Sequence, residues 1–254
     1  MSIKTATING VATLEIARPE KKNAFTSAMY QAMADALLAA AAEPSVRAVL
    51  ITGQPGIFTS GNDIEDFMSR PPQDADAPVF QFMRALVDCD KPVIAAVTGA
   101  AIGIGTTMLL HCDFVYVSDE ARLAMPFVSL GLVPEFASSL LVGQLMGHAK
   151  ASEKLLLGDP FTGADAVECG IANAVLPAAE VLNHARRVAE RFNTLPPSAV
   201  RESKRLMRAG QRELVQKTIQ AELEIFGPRL RSPEAIEAFQ AFFQKRAPDF
   251  SKFN

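Results

Sequence analysis

Two short glycine-bearing stretches decide how this chain is read: Phe58-Thr59-Ser60-Gly61-Asn62-Asp63-Ile64 and Gly99-Ala100-Ala101-Ile102-Gly103-Ile104-Gly105. Each follows a β-branched run, residues 46–52 and 92–98, of the kind buried inside a sheet. Each precedes a segment with helical spacing. Glycine lets the main chain take unusual angles and lets a ligand approach it closely. Two N–H groups from two such loops, aimed at one point, stabilise negative charge developing on a carbonyl oxygen. Either loop alone also fits a plain strand-to-helix turn.

Outward from these loops, the order of elements is strand, helix, strand. Residues 4–8 and 11–16 are β-prone and meet at Asn9-Gly10, a strong hairpin signal. Thr26 is placed to cap a helix running to about residue 42. Residues 69–78 hold three prolines and two aspartates and predict a mobile loop. A helix is predicted over 79–89, a loop over 99–105, a helical turn or two over 106–111 and a strand over 113–118. This rhythm implies a largely parallel sheet with helices outside. Residues 177–192 form an amphipathic pattern through Val181, Leu182, Ala185, Val188, Ala189 and Phe192. Beyond Leu195-Pro196-Pro197 the β signal disappears, and helices are predicted over 198–209, 213–226 and 233–245. The chain therefore divides into a core over 1–195 and a helical region over 196–254.

Composition narrows the function classes. The 254 residues are 49% hydrophobic and 21% charged, which suits a globular chain with a substantial core. A net charge of −3 with both signs interspersed gives no footprint for nucleic acid. No apolar run reaches the roughly 20 residues of a membrane span. The first residues lack the apolar region of a signal peptide, so a cytoplasmic location is expected. Cys89, Cys112 and Cys169 are far apart and read as buried thiols. Gly103-Ile104-Gly105 opens like a dinucleotide fingerprint, but Met108 stands where its third glycine belongs. There is no phosphate loop, no GxSxG elbow and no HExxH. His111 reads as ending a short helix, and His148 and His184 as lying on helix surfaces, so no metal is expected.

The two loops together, with Cys112-Asp113 after the second, resemble the oxyanion-hole loops of the crotonase (enoyl-CoA hydratase/isomerase) superfamily. Arg18-Pro19 through Asn23-Ala24, the stretch from Gly158 to Asn173, and the ending Lys245-Arg246-Ala247-Pro248-Asp249-Phe250 match as well. The resemblance thus runs along the whole chain, in order and at family spacing. It implies an α/β crotonase fold of stacked ββα turns with a C-terminal helical region that helps build trimers, often paired into hexamers. It implies an acyl-CoA thioester as the bound molecule, with coenzyme A part of the substrate and no separate cofactor. By the same resemblance the oxyanion amides belong to Asn62 and Ile104. Ser60, Gly61, Asp63, Ile64, Gly103, Phe127, Lys22 and Ala24 are the expected substrate-contacting residues. Asp63 also fits the cap of a helix starting near Ile64. Glu65 and Asp66 read as a solvated face, and Asp113 as a structural residue. Lys21, Lys22 and the basic C-terminal residues are candidates for the phosphates of coenzyme A.

Family hydratases use two glutamates, and this chain has Thr107 and Phe127 at those places, so hydration is not expected. Glu135, at a predicted helix start, is the remaining acid. Pro126-Phe127, Leu130-Gly131, Pro134-Glu135 and Ser138-Ser139 resemble the Δ3,Δ2-enoyl-CoA isomerases, in which the glutamate at this place is the single acid/base. Phe136 departs from the glycine common there and predicts a narrower pocket. Another crotonase-type reaction, such as isomerisation of a ring-derived thioester, and a non-catalytic acyl-CoA-binding subunit stay open.

Overall fold

The computed structural model describes residues 2–72 and 76–253. The N-terminal hairpin pairs β1 (Ile3–Ile8) with β2 (Val11–Ile16), and Ile8 lies opposite Val11. Asn9 and Gly10 make the turn with φ of 48° and 70°, the left-handed pair that two-residue hairpins favour. Thr26 accepts a hydrogen bond from the amide of Met29 and caps α1 (Ser27–Ala42).

From there the chain winds in turns that repeat one plan. β3 (Ala48–Thr52) enters one sheet, β4 (Ile57–Thr59) enters a second, and the helices α2 (Ile64–Ser69) and α3 (Pro78–Asp88) follow. The next turn gives β5 (Val93–Val97), β6 (Ala100–Ile102) and α4 (Ile104–Thr107). The third gives β7 (Phe114–Ser118), β8 (Arg122–Ala124) and α5 (Ser138–Ser152). β9 (Phe161–Thr162), α6 (Gly163–Glu168), β10 (Ala174–Leu176) and α7 (Ala178–Arg191) complete the core. The larger sheet has the order β1-β2-β3-β5-β7-β10 and the smaller β4-β6-β8-β9. This is the expected stack of ββα turns. Successive turns touch closely: a Cβ on Gly99 would fall 1.9 Å from the carbonyl oxygen of Gly56, so only glycine fits there.

β3, β5 and β7 pair in parallel and are covered on both faces. Ala48, Leu50, Ile94, Ala96 and Tyr116 meet Val181, Ala185 and Ala189 of α7. Val49, Ile51, Val93, Ala95 and Val97 join Met33, Leu37, Phe82 and Leu86 of α1 and α3. Burial on two faces is why these strands read as unbroken apolar runs. Replacing Leu50 with alanine would cost about 2–5 kcal/mol.

The structure corrects several sequence readings. Residues 99–105 are not all loop, because β6 forms within them and pairs with β4. The helices predicted over 198–209 and 213–226 are one continuous helix, α8 (Pro197–Arg229), since Gly210 costs too little to break it. α9 (Pro233–Phe243) follows as expected. The loop predicted over 69–78 falls partly on residues 73–75, outside the described residues; Ser69 ends α2 and Pro78 begins α3. Asp113 ties α8 to the core, accepting from Lys204 Nζ at 2.6 Å, from Arg208 at 2.8 Å and from the Val93 amide. Among the described residues no helix is long and apolar enough to cross a membrane.

Candidate active site

β4 and β6 lie side by side, so the loops that leave them are neighbours. Gly61, with φ of 90°, would put a Cβ 2.9 Å from the carbonyl oxygen of Ile102. The first loop is pinned from behind. Asn23, fully buried, donates through its side chain to the carbonyls of Ile57 and Phe58 and accepts from the Arg18 amide. Arg18 bonds the carbonyl of Ala24 and, at 2.7 Å, the carboxylate of Asp63. The Lys22 carbonyl accepts from the Ser60 amide.

Phe25 and Asn62 form an isolated parallel bridge, in which the Phe25 amide donates to Gly61 and the Asp63 amide to Phe25. In that pattern the middle residue turns its own N–H away from its partner. The Asn62 amide accordingly has no protein acceptor among the described residues. The Ile104 amide is the first of α4, and the first amides of a helix have no acceptor within it. The pair expected to bear an oxyanion is thus unpartnered and carried on adjacent strand ends. Asn62 is held from its side chain as well, since the buried hydroxyl of Tyr30 donates to Oδ1 at 2.5 Å. Burial, with the nearby carboxylates of Glu135 and Asp66, holds the Tyr30 phenol well above its ordinary pKa, so it keeps its proton.

Glu135 is 3% exposed. Thr107 Oγ1, one helical turn beyond Ile104, donates to its Oε1 at 2.5 Å. No cation pairs with the carboxyl among the described residues. Burial pushes its pKa up to about 8; the Thr107 bond pulls the other way and the carboxylate of Glu222 adds to the rise. Glu135 does not start a helix, as its sequence context predicted. It lies in the turn before α5, whose N-cap is Ala137, so the helix dipole does not explain its presence. Phe127 is buried, and its Cε1 is 3.9 Å from the position of a Cβ on Gly103, which gives the second loop an apolar wall.

Other acids are committed elsewhere. Asp63 was expected to contact substrate. Its carboxylate instead pairs with Arg18 and caps α2 through the Asp66 amide, and these bonds hold its pKa low against burial. Asp66 is not on a solvated face: it accepts from the amide and hydroxyl of Ser27 at 2.7 and 2.8 Å. Glu237 pairs with Arg246 and Lys252, which occupies two of the basic C-terminal groups. Lys22 is exposed and Ile64 half-buried beside the first loop. Phe136 does not line an open pocket. Its ring stacks on His111 at 4.0 Å and meets Phe82 edge-on. The His111 Nε2–H donates to the Phe136 carbonyl, and burial lowers the imidazole pKa to about 4.

The chain is similar to known proteins along nearly its whole length. Residues 6–253 match the family described as enoyl-CoA hydratase/isomerase. The chain belongs to that family, the crotonase superfamily. It is 33% identical over 246 residues to human enoyl-CoA delta isomerase 2, covering 94% of this chain and 62% of that protein. It is 30% identical over 244 residues to the 2,3-dehydroadipyl-CoA hydratase of Escherichia coli, covering 94% of each. Among solved structures, OdaA of Pseudomonas aeruginosa superposes with a TM-score of 0.93 at 57% identity, covering 95% of this chain and 98% of that one. The chain thus spans less than two thirds of the human relative, and the fold is the crotonase fold.

Sequence reasoning did not single out Tyr30 or Glu222. Neither belongs to a local motif, since each meets its partner across more than 30 residues of chain.

Proposed function

We propose that this protein isomerises an enoyl-CoA thioester, shifting a C3–C4 double bond to C2–C3, with Glu135 as the single acid/base. Glu135 is the observation that carries the reading. It is a buried acid that, among the described residues, has one hydrogen-bond donor and no paired cation, and its pKa is raised towards the working range of a general base. The Asn62 and Ile104 amides take the thioester oxygen. As Glu135 removes a proton from C2, charge passes through the conjugated system to that oxygen, and the two donors hold the dienolate. Glu135 then returns the proton at C4. Thr107 and Phe127 supply no second carboxylate to activate water, and Phe127 and the buried surroundings favour a water-poor site.

Substrate contacts fall to Ser60, Gly61, Ile64 and Gly103 along the two loops, with Lys22 and Ala24 at the side where coenzyme A would lie. The assembly that fits is a homotrimer or homohexamer. On α8 and α9, Leu206, Met207, Leu214, Ile225, Phe242 and Phe243 are exposed, apolar side chains of the kind that contacts between subunits cover. Phe226 is not among them: it is buried in its own chain against Phe67. The test is a panel of 3-enoyl-, 2-enoyl- and cyclic enoyl-CoA thioesters with products identified. Conversion of 3-enoyl- to 2-enoyl-CoA supports the reading; turnover of cyclic substrates alone favours a ring isomerase, and binding without turnover a non-catalytic subunit.

A further inference from the structure

The turn that carries Glu135 is unusual in its backbone. Phe136 and Ala137 both have φ of 58°, a region that non-glycine residues enter at a cost of about 1–3 kcal/mol each. Two consecutive residues in that region need a hold from outside. α5 has no capping side chain of its own at Ala137. The hold comes from α8, more than 80 residues along the chain. Glu222, 7% exposed, accepts from the Ala137 amide at 2.6 Å and from the Ser139 amide and hydroxyl at 3.0 and 2.5 Å. From the other side His111 holds the Phe136 carbonyl at 2.8 Å.

We propose, on the basis of the isomerase reading above, that Glu222 is a positioning residue: it clamps the left-handed Phe136–Ala137 turn and so keeps the Glu135 carboxyl against Thr107. Burial raises the Glu222 pKa as well, but among the described residues its carboxylate takes three donors that pull the other way, where Glu135 takes one, so Glu222 is the first of the two to ionise. Once ionised, Glu222 favours the protonated form of Glu135. Among the described residues, the titratable groups that act on the Glu135 carboxyl are Glu222 from α8 and Tyr30 from α1. Tyr30 stays protonated, and His111, beneath Phe136, is neutral above about pH 4. Glu222 is therefore the group whose charge moves the Glu135 titration, and the pair titrates as a coupled unit.

The experiment uses the full chain in three forms: native, Glu222→Gln and Glu222→Asp. The Glu135 titration is followed by 13C NMR of labelled glutamate carboxyls, with its signal identified by its absence from Glu135→Gln. In parallel, kcat and KM are measured on a 3-enoyl-CoA thioester across pH. Glu222→Gln should lower the Glu135 midpoint by about one pH unit or more and cut kcat by at least about 10-fold on the basic plateau, with KM little changed. Glu222→Asp keeps the charge but shortens the reach, so the midpoint should stay high while kcat falls. A midpoint unmoved in Glu222→Gln, or a native kcat in Glu222→Asp, overturns the proposal; the second result decides it even if Glu222→Gln does not fold. The carboxyl titration does not depend on turnover, so a native protein that fails to isomerise anything sinks the isomerase reading while the Glu222–Glu135 coupling is still decided.

Discussion

Thr107 Oγ1 donates to Glu135 Oε1 at 2.5 Å. Thr107, which the family resemblance sets at a hydratase glutamate position, is therefore the hydrogen-bond partner of the proposed acid. The two positions form one unit with a single carboxyl, and the consequences can be measured.

Thr107→Val keeps the shape and removes the only donor to the Glu135 carboxyl among the described residues. A hydrogen bond to a charged group is worth about 1.5–3 kcal/mol, so the carboxylate becomes harder to form. The rise of kcat/KM with pH should move up by about one unit or more, and activity at pH 7 should fall roughly 10-fold. A pH–rate profile checks this; an unchanged midpoint would mean the bond is absent in solution.

Tyr30→Phe removes the hydroxyl that fixes the Asn62 side chain. The oxyanion amide should become less well placed, and kcat on a 3-enoyl-CoA should drop about 10-fold with little change in KM. Steady-state kinetics decide it. A rise in KM alone would show that Tyr30 shapes binding and not the amide.

Glu135 also leaves a mark on stability. Its folded pKa, about 8, lies above the ordinary 4.5, so the folded state holds its proton more tightly than the unfolded chain does. That contribution is present in full at low pH and is lost as pH rises between about 4.5 and 8. Glu135→Gln removes the penalty. At pH 9 it should be more stable than native by on the order of 1–3 kcal/mol, and at pH 5 the two should converge. Denaturant melts at both pH values test this.

The sequence carried most of the fold because the chain is locally consistent: Asn9-Gly10 turns the hairpin, Thr26 caps α1, and buried strands alternate with helices. The candidate amides and the candidate acid Glu135 came from the resemblance of the two glycine loops and of the Pro134-Glu135 context to the family. What the sequence could not show were long-range partners. Glu222 reaches Ala137 and Ser139 from another helix, and no local pattern marks one glutamate among the charges of α8. The two helices expected over 198–209 and 213–226 are one, α8, whose buried Val215, Glu222 and Phe226 pack against the rest of the chain. The setting of Glu135 in a left-handed turn was hidden for a related reason: Phe136 and Ala137 do not advertise positive φ as glycine does.

Hydration is the sharpest alternative, given relatives with hydratase names. With Thr107 and Phe127 in place of carboxylates, crotonyl-CoA should be hydrated at least about 100-fold more slowly than a 3-enoyl-CoA is isomerised. Product analysis by mass, which separates an added water from a moved double bond, checks it. Hydration matching or exceeding isomerisation would contradict the single-acid account.

The most direct measurement is isomerisation of a 3-enoyl-CoA by Glu135→Gln, with acyl-CoA binding and C2-proton exchange from deuterated solvent measured on the same sample. Glutamine keeps the shape and removes the proton acceptor. Turnover should fall about 10²–10⁴-fold and C2 exchange should vanish with it, while affinity changes little because the proposed oxyanion donors are the Asn62 and Ile104 amides. Near-native isomerisation by Glu135→Gln would contradict the account and leave Glu135 a buried acid with no part in the chemistry.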